Sequence, residues 1–239
     1  MPYQKAKYDE AEPHFREYIT MAERLNVIES GSQRSLQEIT YASSVLGSLN
    51  YQLQRYNKAL EYFKTAEIHY AQLALSNKHK HANILERADN IGWVALCYEK
   101  LNHIELAIQT RLKMITLTQN ALQHSSADKW QLKLLLASSF RQLSTLYALN
   151  KDYDQSLRVG HLSEIRFMEL IKHDPNNSTW VTGLAYSQRV LLDTNKKIGN
   201  KKAFDAVLSN LNATIAKLPE NSEIRNFPNF QKLTFNQGE

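Results

Sequence analysis

Apolar residues recur along this chain at helical spacing. Ile39, Ala42, Leu46, Leu49 and Leu53 stand 3, 4, 3 and 4 residues apart and line one face of a helix. After the connection Gln54-Arg55, the residues Ala59, Phe63, Ala66 and Tyr70 make a second stripe. Two such stripes across so short a link predict an antiparallel helix pair. The same reading predicts helices near 8–28, 33–53, 56–76, 81–101, 104–122, 129–149, 152–173, 178–197 and 201–217. Asp9, Asp128, Asp152 and Asn177 stand where N-terminal caps are needed, and Ser30-Gly31-Ser32 and His173-Asp174-Pro175-Asn176 read as breaks. Gly (7) and Pro (5) are scarce in the 239 residues, which favours long helices.

The pattern has a period. Ala11, Ala59, Ala107, Ser156 and Ala203 fall 48, 48, 49 and 47 residues apart. A fixed spacing of this size implies stacked copies of one supersecondary unit. Small residues suit the crossing point of two tightly joined helices. Gly47 and Ala59 fall at such a point, where a bulky side chain costs about 1–3 kcal/mol by overpacking or strain. Phe63 fills the space beyond it.

These residues resemble the tetratricopeptide repeat. Leu46, Gly47, Ala59, Phe63 and Ala66 stand where that family has Leu, Gly, Ala, an aromatic and Ala, while Asn50 replaces its usual Tyr. A second copy runs through Val94, Ala95, Tyr98 and Ala107, with Arg111 in place of the aromatic. A third carries Leu143, Ser144, Tyr147, Tyr153 and Ser156, with Gly160 at the aromatic position. The fourth keeps Ala203 but has Leu191 where a small residue is usual. The common repeat takes roughly 34 residues. The longer period here adds about four helical turns, so each helix should run ~18–22 residues. Asp174-Pro175-Asn176-Asn177-Ser178-Thr179-Trp180 before Leu184 and Ser187, and Asp128-Lys129-Trp130 before Leu134 and Ser138, are similar to junctions in long-period arrays of bacterial signalling proteins.

The resemblance covers about residues 5–217. It implies an all-α, right-handed α-α superhelix, a TPR-like solenoid of long antiparallel helix pairs. It also implies a non-enzymatic protein- or peptide-binding scaffold or sensor module in the cytoplasm, with the ligand on the concave face. The expected organisation is a leading helix or half repeat over 1–32, an array of about four helix pairs over 33–219, and a tail or short capping helix over 220–239. Tyr8–Phe15 parallels Tyr56–Phe63, and Pro13 then falls in or near a first turn, where it is tolerated. A leading second helix without its first leaves an apolar side to cover. The expected cover is an upstream domain or a second copy; the alternative is that Met1–Lys7 folds back and leaves only a small patch.

Charge and chemistry narrow the function classes. The net charge is +5, with the lysines spread along the chain, so nucleic acid is not the expected partner. No run of 18 apolar residues exists, so no membrane span is expected, and Met1-Pro2-Tyr3-Gln4-Lys5 lacks a hydrophobic signal region. The single Cys97 rules out a disulfide within the chain and reads as a small buried apolar residue. His79 and His81, which with His69 could be imagined as metal ligands, lie in Asn77-Lys78-His79-Lys80-His81, where Lys78 and Lys80 repel a cation, so a metal site is not expected. No Gly-rich phosphate loop or nucleophile motif occurs. No catalytic residue and no cofactor is expected. Glu12 with Arg16, and Glu61 with Lys64, have the spacing of surface ion pairs.

In the family this chain resembles, the first helix of each pair lines the inner face. The polar positions off its core stripe are therefore the candidate partner-binding residues. They are Tyr41, Ser44, Ser48 and Tyr51 in the first pair, and Asp89 and Glu99 in the second. Ser138, Arg141 and Thr145 follow in the third pair, and Tyr186, Arg189 and Asp193 in the fourth. Arg141 and Arg189 stand 48 apart, and stacked arginines suit an acidic peptide through bidentate pairing. Lys196, Lys197, Lys201 and Lys202 crowd one tip. Two further readings follow: a nucleic-acid-associated regulator using that tip, and a structural dimerisation segment.

Overall fold

The computed structural model describes residues 2–76, 81–124, 129–226 and 233–235. His79, Asp128, Pro228 and Asn229 lie outside the described residues. Among the described residues every regular element is helical. They are α1 (Pro2–Ile28), α2 (Gln33–Gln52), α3 (Tyr56–Ser76), α4 (His81–Lys100), α5 (Ile104–His124), α6 (Trp130–Leu149), α7 (Tyr153–His173), α8 (Ser178–Lys197), α9 (Lys201–Ala216) and α10 (Glu223–Asn226).

The first helix departs from expectation. It begins at Pro2, because nothing in Tyr3-Gln4-Lys5-Ala6-Lys7 breaks a helix. Asp9 therefore lies inside α1 and does not cap it. Pro13 also sits well inside the helix, not in its first turn, and supplies no N–H to the carbonyl four residues back. The caps Asp152 and Asn177 are as expected: their side chains accept from Gln155 N and Trp180 N, each at 3.2 Å. Ser32 and Asn200 do the same for α2 and α9, at 3.1 Å from Ser35 N and Ala203 N.

The period is written into the backbone of the turns. Gln54, Asn102, Lys151 and Gly199 have φ of 59°, 60°, 62° and 73°, and they lie 48, 49 and 48 residues apart. After each, the next N–H reaches back five residues. The bonds are Arg55 N to Asn50 O (2.8 Å), His103 N to Tyr98 O (2.8 Å), Asp152 N to Tyr147 O (2.9 Å) and Asn200 N to Asn195 O (3.0 Å). This left-handed closure satisfies the last carbonyls of a helix and turns the chain back on itself. Four equivalent turns define four helix pairs: α2–α3, α4–α5, α6–α7 and α8–α9.

The chain divides into two compact units, Met1–Ala121 and Leu122–Glu239. In the first, α1 packs on α2, α2 on α3 and α3 on α4, and α2 also meets α4. In the second, α6 packs on α7, α7 on α8 and α8 on α9, and α6 meets α8. Within each unit, the first helices of successive pairs are thus neighbours.

Close approach at small residues organises both units. A Cβ on Gly47 would stand 2.7 Å from the Phe63 ring, and Ala59 is wholly buried, so the crossing lies where the sequence places it. Phe63 stacks on Trp93, ring centroids 5.7 Å apart and 9° from parallel. Asn50 is buried and donates to Leu46 O at 2.8 Å. In the second pair Arg111 occupies the place of Phe63 and is itself core, 2% exposed, donating to Gly92 O at 3.3 Å. In the second unit, hydroxyls fill the contacts. Ser144 donates to Ser156 O (2.7 Å), Ser163 donates to Ala137 O (2.8 Å), and Ser156 lies 3.1 Å from Thr194 Oγ1. Buried hydroxyls with partners let helices approach without a desolvation penalty.

The tail docks. Leu218 and Ile224 are buried with Leu191, Leu192, Phe204 and Leu211, and Leu233 and Phe235 pack against them. Arg225 Nη2 donates to Ala216 O (3.1 Å) and Leu218 O (2.6 Å), capping the end of α9.

Glu12 is not the member of a simple surface pair. It is 8% exposed and receives Arg16 Nη2 at 2.6 Å, Arg55 Nη1 at 2.5 Å and Lys58 Nζ at 3.0 Å, tying α1 to the start of α3. Burial alone would raise its pKa. Hydrogen bonds from Arg16, Lys58 and Arg55 outweigh that effect and hold it down at about 2.

Candidate functional site

Tyr41, Ser44 and Ser48 fall at i, i+3 and i+7 on α2, and Glu86, Asp89 and Trp93 have the same spacing on α4. Each trio shares one face of its helix. Because α2 and α4 are neighbours, the two faces meet. They line a cleft of about 250 Å³, which Phe63 and Tyr70 of α3, with Val45 and Asn90, complete.

The cleft is aromatic and acidic. Tyr41 is 57% exposed and meets Tyr18 edge-on, ring centroids 6.2 Å apart. Burial pushes the Tyr70 hydroxyl up to about 12, with the nearby charges of Glu86 and Asp89 adding to the effect, so it stays neutral. Asp89 lies at the open surface, yet the walls around its carboxyl desolvate it and raise its pKa. A hydrogen bond from Trp93 and the charge of Arg111 pull the other way. Asn90, 3% exposed, donates to Phe63 O at 2.9 Å, and its own Oδ1 has no hydrogen-bond partner.

Four of the residues expected from sequence thus come together: Tyr41, Ser44, Ser48 and Asp89. Tyr51 and Glu99 lie outside the cleft. Tyr51 packs edge-on against Tyr56 (5.3 Å) and Trp93 (5.2 Å), and burial pushes its hydroxyl up to about 12, with the charge of half-buried Glu99 adding to it. Glu86, Trp93, Tyr70 and Asn90 escaped the sequence reading. A shift of one period from Tyr41 reaches Asp89. Glu86 and Trp93 lie one turn to either side of Asp89, and that was the available signal.

In the second unit, Arg141 of α6 lies over the ring of Tyr186 of α8, 5.6 Å from its centroid. Its Nε is buried without a hydrogen-bond partner, and burial lowers its pKa. Thr145 donates to Arg141 O at 3.2 Å. Arg189 instead holds Asp193, Nε to both carboxylate oxygens at 2.9 Å. The four tip lysines are exposed, and Lys201 pairs with Asp205 at 2.7 Å.

A second cleft, about 370 Å³, lies among α3, α4 and α5. Its carboxylate, Glu67, is already paired with Arg87 (2.9 Å) and Lys113 (3.1 Å). Cys97 is wholly buried, as expected, and burial pushes its thiol up to about 12.

No family model matches the chain, and no curated protein matches it. Among solved structures it is similar to BtubC (BKLC) from P. vanneervenii, with a TM-score of 0.59 and 16% identity over 90% of this chain and 96% of that one. A further match is the C-terminal part of a TPR repeat-containing protein from Cytophaga hutchinsonii, with a TM-score of 0.27 and 14% identity over 89% of this chain and 79% of that one. At this identity the first likeness concerns fold alone: an all-α arrangement of paired helices extending over most of both chains.

Proposed function

We propose that this chain is a non-enzymatic, TPR-like scaffold or sensor module of a cytoplasmic signalling protein, and that it holds a peptide on the face formed by the first helices α2 and α4. The observation that supports this is the convergence of Tyr41, Ser44, Ser48 and Asp89. These polar and aromatic side chains lie off the core stripe and line a concave surface instead of being spent in helix packing. A cleft with mixed aromatic and polar walls and groups able to fix orientation is what a peptide side chain requires.

The test is selection of ligands for the full chain from a random peptide display library. Selected peptides should lose binding to Ser48→Trp, which fills the cleft, and to Tyr41→Ala, which trims its rim while leaving the core alone. Lys113→Ala, at the other cleft, should bind as the parent does. Failure to select any peptide overturns the reading, as do ligands indifferent to both cleft variants when circular dichroism shows both folded.

A further inference from the structure

We propose that the α2–α4 cleft reads an arginine side chain of the bound segment. This rests on the peptide-binding reading and adds the chemistry of the residue recognised.

Three independent features of the cleft point to a cation with several donors. The first is charge. Glu86 and Asp89 sit one turn apart on α4 and line the same space, while Arg111, whose charge reaches Asp89, is itself buried and donates to Gly92 O. The second is the unfilled acceptor in the wall. Asn90 spends its amide N–H on Phe63 O and leaves Oδ1 without a partner, although the residue is 3% exposed. A buried acceptor left unpaired is costly, and a donor from a ligand removes that cost. The third is the ring lining of Tyr41, Tyr70 and Trp93, whose faces attract cations and stack on planar groups.

Arginine fits this set better than lysine. Its planar guanidinium stacks on an aromatic face and presents five fixed donors, so it can serve two carboxylates and an amide oxygen at once. The volume, about 250 Å³, suits one long side chain and not a folded element. The occupant is therefore an extended segment of another protein presenting an arginine.

The experiment titrates the full-length, ¹⁵N-labelled chain with three peptides that differ only at the centre of a neutral Gly-Ser sequence: arginine, citrulline (the same shape without charge) and lysine. The arginine peptide should shift the Trp93 indole resonance, and citrulline should bind at least about tenfold more weakly, as expected when a paired charge is lost. Asp89→Asn and Glu86→Gln should each weaken the arginine peptide several-fold, and Lys113→Ala, at the other cleft, should leave it unchanged. Equal binding of citrulline or lysine, no response at Trp93, or indifference to both acidic variants overturns the proposal. The two failures are distinguishable. Display-selected peptides that bind in the cleft but carry no arginine leave the scaffold standing and sink this inference. No ligand from the library together with no response to the arginine peptide sinks the scaffold reading and this inference with it.

Discussion

Leu191 of α8 occupies the space that Gly160 of α7 leaves open: a Cβ on Gly160 would stand 2.7 Å from Leu191 Cδ2 and 3.0 Å from Ser144 Oγ. In the repeat pattern each residue is a departure, a glycine where an aromatic is usual and a leucine where a small residue is usual. Together they are one exchange of bulk across the α7–α8 contact, which keeps the interior filled. Gly183 and Phe167 make a similar small-to-large contact on the same pair of helices, the Phe167 ring filling the place of a Cβ.

A double-mutant cycle tests the exchange. Gly160→Ala should destabilise by about 1 kcal/mol or more through overpacking. Leu191→Ala, at a fully buried site, should cost roughly 2–5 kcal/mol. With Leu191→Ala in place, Gly160→Ala should change sign and stabilise, because alanine in a helix is favoured over glycine by about 1 kcal/mol. Urea unfolding of the four proteins reads the coupling; additive effects would show that the two residues do not share the space.

The repeated turn predicts a stabilising substitution. Lys151 adopts φ 62°, where a residue with a Cβ is strained and glycine is not. Lys151→Gly should gain about 0.5–1 kcal/mol net of the greater chain entropy of glycine. The gain should appear as a raised thermal midpoint. Gly199→Ala, at the equivalent turn, should lower the midpoint.

Glu12 predicts an acid-sensitive contact. Its folded pKa of about 2 lies below the ordinary glutamate value of 4.5, so its contribution is fully present above about pH 4.5 and is lost as pH falls toward 2. Glu12→Gln should cost about 1 kcal/mol at neutral pH, allowing for solvent screening of the three cations. The difference between the two proteins should shrink steadily below pH 4.5. Unfolding curves across that range decide it, and a constant difference would dismiss the ion cluster as its source.

Asp89 predicts the opposite sign. Its pKa is raised by desolvation, so the ionised carboxylate costs stability at neutral pH, and that cost disappears as pH falls through the raised value. Asp89→Asn should therefore be more stable than the parent at neutral pH by a few tenths to about 1 kcal/mol. It should lose that advantage in acid and, in the titration above, bind the arginine peptide less well. Gain of stability with loss of binding is the pattern of a ligand site and not of a packing residue. Loss of both would place Asp89 in the fold's support.

What this sequence determined by itself was local. The stripes at helical spacing and the scarcity of Gly and Pro determined the helices, most of them to within a residue or two, and the period determined four equivalent turns, since a turn closes on residues five apart. The face of α2 that carries Tyr41, Ser44 and Ser48 was legible because one stripe fixes the inward side of a helix and so also the outward one. The tertiary structure decided which residues meet. Two of the three partners of Glu12, Arg55 and Lys58, lie more than forty residues away, Glu86 and Trp93 enter the cleft only because α4 lies beside α2, and Leu191 needs Gly160 from the preceding helix. The reason is physical: periodicity records that a side chain is buried, but only the relative position of two helices decides which space it fills. The α1 boundary failed for the converse reason. Its pattern resembled a later turn, but the chain there contains nothing that stops a helix.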